Sequence, residues 1–186
     1  MPHLSTASAD RDAVLTAAEE MVGTGSFTRL TPAAVARSAG LSLDRLRSVF
    51  ATRSDLVQAV CEARHQAWFR DLLASLTAEA DPRDQILEVF LYIEHDQAGC
   101  CPCLTGVGTG QNVATALASG HLVEVEHLMT SLCARAGYPV FMSDALVLLL
   151  EGAALTVRAK ESPAPVRTAR TAAAMLLSVY ESSDTF

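Results

Sequence analysis

Aromatic side chains are scarce in this 186-residue sequence: one Trp, three Tyr and six Phe amount to 5% of it, while 50% of the residues are apolar. Any core is therefore aliphatic and alanine-rich, and so apolar a composition excludes a disordered chain. β-Branched runs with period-two alternation are missing, which excludes a sheet, whereas alanine and leucine favour helix. No internal repeat of fixed period appears. The first residues, MPHLSTASAD, lack the basic start and apolar run of a secretory signal. The most apolar window, Ala145–Leu155, is too short to span a bilayer and carries Glu151 in its middle. These absences lead to the expectation of a soluble cytoplasmic protein with no membrane partner. Five cysteines, three of them crowded together, do not make a secreted disulfide framework, so reduced thiols are expected. Ser, His and Asp are scattered without an elbow motif, and GVGTG at 106–110 does not match a dinucleotide fingerprint. Neither an enzyme nor a cofactor is expected.

What is present is an uneven charge. The net charge is −7, yet residues 1–60 hold six arginines and six acids, so residues 61–186 carry all of it. Within the neutral part, Arg29 to Arg53 gathers five arginines against Asp44 alone. A local positive patch joined to an acidic body suits a protein that meets nucleic acid with one face only.

The pattern along the chain predicts an all-α protein of about nine helices. After a disordered tail over 1–9, Val14, Ala17, Ala18, Met21 and Val22 share one helical face, and Gly23 and Gly25 end that helix. Thr31-Pro32 supplies an N-cap and a proline at the first helical position. Gly40 supplies a left-handed turn, and Ser42 caps a third helix with Leu46, Val49 and Phe50 inward. Two short helices joined by a tight glycine turn, over 31–50, have the form of a helix-turn-helix. Thr52 to Asp55 is a capping box opening a long helix to about Leu76. Further helices are expected from Asp81-Pro82, over Asn112–Ala136 with a weak point at Gly120, over Ser143–Lys160 and over Pro165–Tyr180.

These residues resemble the DNA-binding domain of the TetR/AcrR family of transcriptional regulators. The resemblance lies in AVLTAAEEMV of the first helix, Thr31, AVARSAGLS across the turn, Leu46 with Phe50, and FATRSDL leading into the fourth helix. It covers about fifty residues, 11–60; the remainder agrees in helix number and length. It implies a helix-turn-helix domain over 10–55 and a ligand-binding and dimerisation domain over 56–186. The implied protein is a regulator, a repressor released from a palindromic double-stranded operator by a small-molecule ligand.

Physical reading assigns the face. Arg45 and Arg47 point outward and can donate to guanine or phosphate, and Asp44 can accept from a cytosine amino group. Thr31, Ser42 and Ser48 are candidate phosphate donors, and Leu43 completes the exposed first turn. Arg53 stands where the family usually has a phosphate-binding lysine. The family commonly has an aromatic residue at Arg47, glycine at Asp44 and a basic residue at Leu43, departures that bear on which operator is read.

The resemblance also implies a homodimer through the last two helices. Leu146, Leu149, Leu150, Gly152, Ala153 and Val157 are expected to meet Ala169, Ala173, Leu176 and Leu177 of the partner. The implied ligand pocket falls among the fourth helix, the fifth and the 99–117 region, lined by His65, Trp68, Phe69, Phe90, His95 and Leu104. Two alternatives stand beside this reading. Cys100, Cys101 and Cys103 of GCCPCL, with Cys61 and His65 a turn apart, are a candidate set for a soft metal or thiol-redox sensor. A helical small-molecule-binding protein or enzyme with a non-functional DNA head is the other.

Overall fold

The protein was analysed as a computed structural model, which describes residues 3–23, 27–95, 111–160 and 162–183; the side chains of 3–6, 111–116, 158–160 and 183 are outside the description. Among the described residues there are eight α-helices, one 3-10 turn and no strand. The helices are α1 (His3–Val22), α2 (Pro32–Ser38), α3 (Leu43–Val49), α4 (Arg53–Leu76), α5 (Pro82–His95), α6 (Gln111–Arg135), α7 (Val140–Lys160) and α8 (Ala164–Ser183). The all-α expectation holds, with eight helices in place of about nine. The chain divides into two compact units, Met1–Ala67 with Pro102–Gly120, and Trp68–Cys101 with His121–Phe186.

In the first unit the expected local chemistry is visible atom by atom. Thr31 Oγ1 accepts from the Ala34 amide at 3.3 Å, and Ser42 Oγ accepts from the Arg45 amide at 3.2 Å. Between these caps Gly40 has φ +68°, a region a side chain resists. This turn closes α2: Leu41 N–H donates to Ala36 O at 2.9 Å and Gly40 N–H to Arg37 O at 3.3 Å. Thr52 and Asp55 cap α4 reciprocally, the Thr52 amide donating to Asp55 Oδ2 at 2.9 Å and the Asp55 amide to Thr52 Oγ1 at 3.1 Å. Val14, Ala18, Phe27, Leu30, Val35, Leu46, Phe50, Leu56, Val57 and Cys61 form one buried cluster. It fixes α3 by its inner side and leaves the outer side in water.

Two departures concern the borders of this unit. α1 begins at His3, so residues 3–9 are helical where a disordered tail was expected. Ala7 and Ala9 favour helix, and Asp10 on the next turn is tied to α3. The unit also runs past residue 55 to Ala67, because Leu56, Val57, Val60 and Cys61 of α4 belong to its core.

In the second unit α8 packs on both α5 and α7. Asp81 opens α5, its Oδ1 accepting from the Arg83 amide at 2.9 Å. Ile86, Val89, Phe90 and Ile93 of α5 are buried, as are Val125, Met129 and Leu132 of α6. α6 runs unbroken through Gly120 to Arg135, and Gly137 just beyond it has a φ of +79° that lets Tyr138 N–H reach Cys133 O at 2.8 Å. Glu94, its side chain only 6% exposed, joins α5 to α8 through Arg167 at 2.8 Å and Arg170 at 3.5 Å.

α7 starts at Val140, and its Val140–Val157 window has a mean hydropathy of 1.8, a length and composition that the core helix of a soluble protein shares; Leu146, Val147, Leu150, Ala153, Ala154 and Val157 in it are buried. The proposed dimer residues also divide. Leu146, Leu150, Ala153, Val157, Ala169, Ala173 and Leu177 are buried within the single chain, whereas Leu149 and Leu176 are half-buried and Gly152 is exposed. The buried set belongs to the core of the single chain, in which α7 and α8 pack on each other. The large apolar residues left outside are Val140, Phe141, Leu148 and Leu155 on α7, with Met175 and Val179 on α8.

Candidate nucleic-acid interface

α3 presents its polar side to solvent. Ser42, Asp44, Arg45, Arg47 and Ser48 are exposed and Leu43 is half-buried, while Leu46 and Phe50 are closed into the core. Thr31, Arg29 and Arg37 are also exposed in the same unit. The two capping hydroxyls accept an amide proton each, so the hydroxyl proton of each remains a donor for an incoming oxygen. Ser48 differs: its hydroxyl donates to Arg45 O at 2.7 Å, and its proton is already used within the helix.

The arginines are not equivalent. Arg47 makes no ion pair among the described residues. Arg45, with 51% of its side chain exposed, is held from α1: its Nε donates to Asp10 Oδ2 at 3.0 Å and its Nη2 to Asp10 Oδ1 at 2.5 Å. Nothing in the spacing announces this pair, since 35 residues separate its members.

Arg53, the residue expected to meet phosphate, is held within the domain as well. Its Nε donates to Leu30 O at 2.8 Å and its Nη2 to Phe27 O at 2.7 Å, half-buried beneath the connection between α1 and α2. These donors tie the start of α4 to Leu30 and to the 3-10 turn Phe27–Arg29, whose Phe27 O also accepts from Leu30 N–H at 3.1 Å. Arg64, eleven residues further along α4, acts alike: its Nε meets Glu19 at 2.7 Å, its Nη2 donates to Gly23 O, and its guanidinium lies 5.8 Å from the Phe27 ring centre. Arg11 covers the Phe50 ring at 4.8 Å.

The six residues expected to line a ligand pocket are differently placed within their own units. Phe90 is fully buried core, His95 is exposed, and Leu104 lies outside the described residues. His65 is half-buried in the first unit, whereas Trp68 and Phe69 belong to the second, with ring centres 6.4 Å apart. Trp68 gathers other neighbours. Tyr92 meets it edge-on at 5.8 Å and donates its hydroxyl to Trp68 O at 3.3 Å, and His121 lies 5.6 Å away. His121, 4% exposed, faces Glu151 with Nε2 3.3 Å from Oε1. Sequence reasoning passed over Tyr92 and His121; Glu151 was the available signal, an acid inside an apolar helix that needs a partner.

Cys61 is fully buried in the aliphatic core of the first unit, and Cys100, Cys101 and Cys103 lie outside the described residues. Burial pushes the Cys133 thiol up to about 11, away from reactivity. Among the described residues no three His, Cys, Asp or Glu side chains are grouped to hold a metal ion.

No family model matches this sequence, and no curated protein does. Solved structures do match. E. coli NemR in its reduced form superposes with a TM-score of 0.70 at 18% identity, over 88% of this chain and 95% of that one. The multidrug binding protein EbrR, complexed with imidazole, gives 0.67 at 24% identity over 89% and 88%. A TetR-family member from Streptomyces coelicolor A3 gives 0.66 at 24% identity over 90% and 97%. Identities this low speak for architecture alone, and the chain has the fold of TetR-family regulators.

Proposed function

We infer that the chain is a DNA-binding transcriptional regulator, a cytoplasmic homodimer released as a repressor from a near-palindromic operator by a small-molecule ligand. The observation that carries this is α3, a helix fixed by its apolar side with Arg45, Arg47 and the Thr31 and Ser42 hydroxyls turned to solvent. A helix of this kind fits the major groove, where arginine reads guanine and hydroxyls hold phosphate. The acidic remainder repels DNA, so binding calls for two such faces roughly 34–36 Å apart on successive turns. Arg53 enters the reading chiefly as a support for the domain.

The dimer face is revised to the exposed apolar line Phe141, Leu148 and Leu155, with Met175 and Val179 beside it. Between α7 and α8 lies a groove of about 500 Å³ whose lining includes Leu148, Leu149, Gly152, Thr156 and Ala172. Leu149, Gly152, Ala153 and Ala169 of the first assignment line this groove too, now with exposed neighbours.

For the ligand, the supporting cluster is Trp68, Tyr92, His121 and Glu151. EbrR is a multidrug binding protein solved with imidazole and with malachite green. Aromatic faces beside a carboxylate suit a small aromatic or cationic molecule. Coupling of about 1–3 kcal/mol between ligand and operator is enough for release. The reading needs no catalytic step. Its test is selection of bound fragments from randomised duplex DNA with the purified protein: an enriched near-palindrome is expected, and a strictly monomeric protein without sequence preference at low salt overturns it.

A further inference from the structure

We propose that Asp10 on α1, outside the helix-turn-helix itself, is a positioning residue for Arg45 and decides how sharply that arginine selects its base. The proposal rests on the regulator reading. A guanidinium is a planar fork with five donors, and Asp10 occupies one edge of it, Nε and Nη2. The end of the fork, both Nη1 hydrogens and the second on Nη2, points away from that edge and still matches guanine O6 and N7. An arginine without such a brace folds readily onto the nearest phosphate, a contact that carries no sequence information.

The brace is itself held. The Asp10 side chain is 13% exposed against 51% for Arg45. Val14, one turn further along α1, is fully buried, and Arg11 beside it covers Phe50. α1 packs directly on α3, so the carboxylate is fixed to the body that carries the recognition helix. Its charge also lowers the attraction of Arg45 for phosphate. Arg47, two residues on, has no such carboxylate and keeps its full pull on the backbone. One arginine is thereby turned towards sequence and the other towards affinity.

The experiment compares full-length wild type, Asp10→Asn, Asp10→Glu, Arg45→Ala and the Asp10→Asn/Arg45→Ala double variant in selection from randomised duplexes and in salt titrations. Asp10→Asn is expected to relax preference at one base pair of each half-site by about tenfold. Its binding to unrelated duplex should tighten, with the salt slope steeper by about one per subunit. Asp10→Glu should restore most of the preference, and on the Arg45→Ala background Asp10→Asn should change none. Uniformly tighter binding with base preference intact would make Asp10 a competitor for phosphate and overturn the assignment. Equal losses with and without Arg45 would do the same. In both cases the wild type still enriches a palindrome, so the regulator reading survives; a wild type that enriches nothing removes both. Should Asp10→Asn fail to fold by circular dichroism, Asp10→Ser carries the same comparison.

Discussion

His121 on α6 and Glu151 on α7 meet inside the second unit, Nε2 to Oε1 at 3.3 Å, with the imidazole almost fully covered and the carboxylate partly open. Removing Glu151 takes away a charged acceptor beside a buried ring. Glu151→Ala should therefore lower unfolding free energy by about 1–3 kcal/mol, and Glu151→Gln, which keeps an oxygen there, by less than half as much. Urea unfolding of the three proteins measures it; equal costs would assign the pair no hydrogen-bonding role.

Arg53 and Arg47 should separate cleanly. Arg53→Ala strips a cation from two backbone carbonyls and should cost about 1.5–3 kcal/mol of stability. Arg47→Ala, at an exposed position, should stay within about 0.5 kcal/mol of wild type yet weaken all duplexes and reduce the salt slope by roughly one. Thermal melts beside binding isotherms give both numbers.

On α7 the position decides the consequence. Leu148→Glu or Leu155→Glu, at sites 75% and 65% exposed in one chain, should yield a folded monomer by sedimentation with helicity unchanged. Leu146→Ala, fully buried in the same helix, should instead cost about 2–5 kcal/mol. A dimer that survives both glutamates would move the interface elsewhere.

Cys133 provides a pH test. Its thiol shifts from 9.0 to about 11 on folding through burial. The unfolded chain then loses a proton first, so stability is unaffected below pH 9 and declines as pH rises from 9 towards 11. Cys133→Ala should flatten that decline in a pH series of denaturant midpoints. Tyr138 adds to the wild-type slope in the same direction, its phenol raised by burial and by Glu181. Thiol reagents at neutral pH should reach Cys133 and Cys61 only after unfolding.

Local chemistry was legible in the sequence because it acts over a few residues. Thr31, Gly40, Ser42 and the Thr52–Asp55 box announce themselves by type and spacing, and the inward set Val14, Leu46 and Phe50 follows from helical period. Long-range pairings were not legible. Asp10 with Arg45, Arg53 with Leu30, and Trp68 with His121 depend on how helices dock, which residue spacing does not encode. The apolar faces of α7 and α8 show the same limit: periodicity marked both as greasy on more than one side, but which side meets its own chain and which stays uncovered is a packing outcome.

Phe141, Leu148 and Leu155 recur every seventh residue, and seven residues fall slightly short of two full helical turns. Such a row slips round the cylinder by about 20° per heptad. The uncovered ridge on α7 is thus a slow spiral, and a straight rod laid along it loses touch after a few turns. Whatever rides that ridge must cross it obliquely or coil with it left-handedly, so the hand of the association is inscribed in one chain before a second arrives.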